Sequence, residues 1–154
     1  MEYASIEREI IVDATPQVVF DVVSKPEHLR EWWPDEMDLE SRVGGEGRVT
    51  FRGDAADDTI VQRLTVVEMR PPHRFAFRWT HPDGEAAAVD NSFLVVFDIE
   101  ASGQGTRVTM TETGFRERGW EAAVLEEAYR DHTEGWDHFI PRLDAYLARL
   151  VATP

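Results

Sequence analysis

Five stretches between Met37 and Phe115 alternate apolar with polar residues, and short turn signals separate them. "RVTF" (48–51) follows "GGEG", "TIVQRLTVVEM" (59–69) is rich in β-branched residues, and "RFAFRW" (74–79) alternates cleanly. "NSFLVVFDIE" and "TRVTMTETGF" flank the hairpin signal "SGQG". Strands adjacent in sequence and joined by short turns build an antiparallel meander. Phe75, Phe77 and Trp79 share one face, as do Phe93, Val95, Phe97 and Ile99, and as do Val108, Met110 and Glu112. A sheet with such a face folds only if something covers it.

The C-terminal stretch "GWDHFIPRLDAYLARL" is the one long cover available. Trp136, Phe139, Ile140, Leu143, Leu147 and Leu150 recur at helical spacing. Asp131 followed by Glu134 reads as a capping box, so a helix is expected from about Thr133 to Leu150. Pro141 stands inside it. Its missing N–H and its ring disfavour an isolated helix by roughly 3 kcal/mol, which predicts a bend near Asp137 that wraps the helix on a curved sheet.

Residues 3–12 place Ile6, Ile10 and Val12 on one side and read as a first strand. Thr15 caps a helix that starts at Pro16 and carries the stripe Val18, Val19, Val22 and Val23. Lys25-Pro26 interrupts it, and a second short helix runs toward Trp32-Trp33 before Pro34. The segment 116–132 is rich in helix formers, with Glu126 placed to pair with Arg130. The expected fold class is α+β, as one domain over residues 1–154.

Charge narrows the partners. The chain carries 30 Asp and Glu against 16 Lys and Arg, a formal charge of -14, which repels nucleic-acid phosphates and anionic membranes. It has no cysteine, which excludes disulfides, thiolate metal sites and a cysteine nucleophile. No segment approaches the roughly 20 apolar residues of a membrane span. A cytoplasmic protein without nucleic-acid or membrane partners is the expectation. His28, His73, His81, His132 and His138 show no metal-ligand spacing and read as surface residues; no metal and no cofactor is expected. Gly44-Gly45-Glu46-Gly47 is a turn between strands, since no helix or Lys-Ser/Thr follows it. No Gly-x-Ser-x-Gly elbow is present.

The order of a strand, two short helices, a meander and a long C-terminal helix resembles the START-like, helix-grip superfamily, often labelled SRPBCC. The segments "SKPEHLREWW", "SRVGGEGRVTF", "VVEMRPPHRFAFRW", "GQGTRVTMTETGF" and "HTEGWDHFIPRLDAYL" carry that resemblance. Within it the chain is similar to the C-terminal domain of the activator of the ninety-kilodalton heat-shock protein's ATPase. The resemblance implies a curved sheet gripping the long helix, with a cavity between them. Two departures are the helical character of 116–132 and the proline in the gripping helix.

On that reading Trp32, Trp33, Phe51, Phe77, Trp79, Phe93, Val95, Met110, Trp136, Phe139, Ile140 and Leu143 are candidate cavity walls, with Trp33 at the edge. Glu112 is the most informative position, because alternation with Val108 and Met110 turns it inward. A carboxylate there must pair, take up a proton or meet a ligand. Arg63, Arg78 and His81 are the candidate partners. The resemblance is specific for a fold and not for a function. The leading expectation is binding of a small hydrophobic or amphipathic molecule without chemistry. The alternatives are a chaperone-contacting module, and a cyclase or lyase with Glu112 as its acid/base catalyst; a homodimer is a further candidate assembly.

Overall fold

The computed structural model describes residues 3–53 and 56–152. Strand β1 spans Ser5–Val12 and is followed by helices α1 (Pro16–Ser24) and α2 (Pro26–Trp32). Strands β2 (Glu36–Leu39), β3 (Glu46–Phe51), β4 (Ile60–Arg70), β5 (Arg74–Trp79), β6 (Phe93–Ser102) and β7 (Gly105–Thr113) come next. A 3₁₀ turn at Arg116–Arg118 leads into helix α3, Ala122–Ala152. The seven strands form one antiparallel sheet in the order β1-β7-β6-β5-β4-β3-β2. This is the α+β helix-grip architecture, and among the described residues no helix is long and apolar enough to cross a membrane.

Local chemistry sets the elements. Thr15 is extended and its Oγ1 accepts the Val18 N–H at 3.3 Å, with Pro16 at the first helical position. Lys25, held extended by the proline after it, divides α1 from α2. Besides the valine stripe, α1 buries Phe20, which contacts Phe75 of the sheet at a ring separation of 6.4 Å. β4 carries a bulge between Val66 and Glu68, an irregularity of the kind that increases local twist and bends a sheet.

Three expectations are corrected. β1 begins at Ser5, two residues later than read. The last helix begins at Ala122, so the segment 116–132 is its first third together with the 3₁₀ turn. The Asp131–Glu134 capping box therefore does not exist, because the helical stripe extends backward through Leu125, Tyr129 and His132 to meet Trp136. α3 runs unbroken through Pro141, which lies on the exposed side. The hydrogen bond that Pro141 cannot donate to the Asp137 carbonyl is thus lost where water can replace it. One residue face of the same turn is tied to the sheet by Arg8, whose Nε donates to Asp137 Oδ1 at 2.8 Å.

The core lies between α1, α2 and α3 and the concave face of the sheet. Ile6, Glu112, Val95, Phe77 and Val66 form one row across five strands, and all are at most 1% exposed. One carboxylate in a row of apolar side chains is the feature that organises the site.

Candidate functional site

Glu112 is fully buried and meets three nitrogen atoms. Trp79 Nε1 donates to its Oε2 at 2.7 Å, Trp136 Nε1 to Oε1 at 2.9 Å, and His132 Nδ1 lies 2.7 Å from Oε1. An indole only donates, so both carboxylate oxygens act as acceptors. With Nδ1–H donating as well, the shared oxygen receives a charge-assisted bond and the carboxylate is satisfied without a cation of its own. This hydrogen bond also fixes the imidazole tautomer, leaving Nε2 as the basic nitrogen. Among the described residues Nε2 has no hydrogen-bond partner.

Alternation along β7 turns Glu112 inward, alternation along β5 brings Trp79 to the same face, and four-residue spacing on α3 stacks His132 above Trp136. Rings then confine the imidazole: its centroid lies 4.4 Å from that of Phe93, 5.4 Å from Phe115 and 5.6 Å from Trp79. Arg118 stacks on Phe93 at 4.4 Å and on Trp120 at 4.9 Å, and its Nη2 donates to Thr80 Oγ1 at 2.7 Å. Burial pulls the guanidinium below its ordinary pKa, and Asp90 opposes that shift. Thr80 has φ 74, a conformation that a β-branched residue adopts only when its surroundings impose it.

A pocket of about 230 Å³ opens beside this network, between the ends of β3, β4 and β5 and the middle of α3. Trp33, Phe51, Trp79, Trp136 and Phe139 supply its aromatic wall; Ile60, Gln62, Thr80, Asp131, His132 and Gly135 complete it. Trp33 and Trp136 stack at 5.7 Å with planes 19° apart, and Phe51 packs on Phe139 at 5.7 Å. Gly135 leaves room, since a Cβ there would meet no heavy atom within 4 Å. The volume exceeds the roughly 150 Å³ that holds benzene in an engineered protein cavity and falls below the roughly 300 Å³ lower end of drug-sized sites. One or two rings fit.

The structure thus places five of the expected wall residues, Trp33, Phe51, Trp79, Trp136 and Phe139, on the pocket. Trp32, Phe77, Phe93, Val95, Met110, Ile140 and Leu143 pack in the core around it. The expected cation partners of Glu112 are corrected. Arg63 pairs with Glu46 and Asp83, Arg78 reaches the Ala88 carbonyl and Ser92, and buried His81 bonds Thr65 Oγ1 through Nε2 at 3.0 Å. The surface reading fails for His81 and His132, and His28 is half-buried against the Tyr146 hydroxyl at 2.8 Å. His132 was legible through its spacing of four from Trp136, which continues the helical stripe. Gly135 and Thr80 carried no periodic signal.

Solved structures share this fold. Protein MLL2253 from Mesorhizobium loti is 21% identical with a TM-score of 0.73, over 94% of this chain and 97% of that one. The Aha1 dimer from Colwellia psychrerythraea is 17% identical with a TM-score of 0.67, over 94% and 96%. DynU16, a protein of the dynemicin biosynthetic locus, is 21% identical with a TM-score of 0.69; 94% of this chain matches 47% of that protein, about half its length. No curated protein matches significantly. Residues 13–148 match one family over most of the sequence, and the chain belongs to it: the activator of Hsp90 ATPase homolog 1-like proteins.

Proposed function

We propose that this chain binds a small, flat, amphipathic molecule of one or two rings in the pocket bounded by Trp33, Trp136 and Gly135. The observation that carries this reading is an aromatic wall facing empty space at a glycine in mid-helix. Glycine inside a helix is less stable than alanine by roughly 1 kcal/mol. Here a Cβ would enter open space, so the missing side chain adds room at the pocket wall. Gln62, Thr80 and His132 give the wall its polar anchors.

Gly135→Ala tests the reading. The added methyl fills pocket space and improves helix propensity, so unfolding should become harder by about 0.5–1 kcal/mol. Binding of 6-nitrobenzotriazole, followed by tryptophan quenching, should weaken in the same variant. Saturable binding that ignores residue 135 would place the ligand elsewhere. The Colwellia relative is described as a dimer, which supports a homodimer as the assembly to test by sedimentation. A chaperone-contacting role has the family description as its support.

A further inference from the structure

We propose that Glu112 and His132 are an acid–base pair that moves a proton on the molecule held in the pocket, with His132 the group that touches it. The proposal deepens the binding reading and rests on it. A carboxylate inside an apolar strand row has a high desolvation cost, and two indoles alone do not require the third partner. The third partner is an imidazole with one nitrogen 2.7 Å from the carboxylate while its ring forms part of the pocket wall. A carboxylate behind one ring nitrogen holds the tautomer and steadies the imidazolium that forms when the other nitrogen takes a proton.

The step balances without a co-reactant. Neutral His132 accepts through Nε2 a proton from an acidic C–H or O–H of the ligand. The electron pair of the broken bond stays on the ligand as an enolate or phenolate, or moves to break a bond to a leaving atom. The imidazolium later returns its proton to another ligand atom or to water. Negative charge developing on the ligand meets the Gln62 amide and the Thr80 hydroxyl; Thr80 Oγ1 accepts from Arg118 and so keeps its own O–H to donate. The ligand class is a small conjugated carbonyl or phenolic compound with an acidic proton. Charged groups around His132 are Glu112 from β7, Asp131 beside it on α3, and Arg118 on the shared Phe93 ring. Glu112 is the positioning residue.

The probe is 5-nitrobenzisoxazole, a flat two-ring compound. A base removes its C3 proton, the N–O bond breaks, and the coloured 2-cyano-4-nitrophenolate forms. The full chain should catalyse this opening above buffer background. His132→Ala should lower kcat/KM by about a hundredfold, the usual scale of one general base. Its affinity for 6-nitrobenzotriazole, an unreactive analogue, should fall by far less than its rate. Glu112→Gln should lower kcat more than KM and displace the titrating limb of the pH–rate profile, which a merely structural carboxylate would not do. If that variant does not fold, the His132→Ala rate and the wild-type pH profile decide the matter. Binding of the analogue without wild-type turnover, or turnover unchanged in His132→Ala, overturns the acid–base pair and leaves the pocket reading standing. Absence of analogue binding overturns both.

Discussion

At the scale of single residues, the informative positions are those where a polar group is closed in by rings. Glu112 accepts bonds from two tryptophans on different elements, so one side chain ties β5, β7 and α3 together. Tyr146 illustrates the same physics at the far end of α3. Burial, then the nearby Glu31, raises its phenol above the ordinary 10.0, and Arg149 opposes the rise. A phenol whose folded value is raised stabilises the fold fully below its unfolded value, and that contribution is lost as pH climbs through the folded value. Stability should therefore fall on the alkaline side of pH 10, and chemical denaturation should show a shallower fall for Tyr146→Phe. At neutral pH the same variant loses the His28 hydrogen bond, which is worth about 1 kcal/mol. Alternation alone made the inward turn of Glu112 legible. Its partners were not, because a sequence places residues on faces but does not say which side chains from remote elements meet there.

Among the elements, α3 carries the most. Its pocket residues Asp131, His132, Gly135, Trp136 and Phe139 follow helical spacing, and Pro141 comes two positions later on the exposed side. Six of the seven strands and both short helices were readable within about two residues, because period-two alternation, Thr15-Pro16 and Lys25-Pro26 are strong local signals; β2, only four residues long, was not read. The start of α3 was not, since Asp131 and Glu134 imitate a cap in the interior of a helix whose true beginning lies beyond a 3₁₀ turn. Pro141→Ala restores a donor to the Asp137 carbonyl. The melting temperature should rise, by a few degrees if 1 kcal/mol of the roughly 3 kcal/mol proline penalty is recovered. Relief of the ring's clash with the preceding turn should reposition Trp136 and Phe139, and affinity for 6-nitrobenzotriazole should fall. A melting temperature that drops would show that the proline's geometry, and not merely its tolerance, stabilises the grip.

The molecule is a sheet closed over one helix, and among the described residues its carboxylates lie outside the core except for Glu112. The -14 formal charge argues against anionic partners and the pocket wall is largely aromatic, and both support the proposed ligand class. The pocket could not be read from the chain, because whether apolar side chains fill the space under a helix depends on packing. The five tryptophans report on it separately. Trp33, Trp79 and Trp136 line the pocket, whereas Trp32 is buried with its Nε1 donating to the Val22 carbonyl and Trp120 packs on Arg118. The direct measurement is a titration of 15N-labelled protein with 6-nitrobenzotriazole, observing the indole N–H signals. The signals of Trp33, Trp79 and Trp136 should move together and saturate, while those of Trp32 and Trp120 hold; five unmoved signals, or movement led by Trp120, would contradict a ligand site at Glu112 and His132.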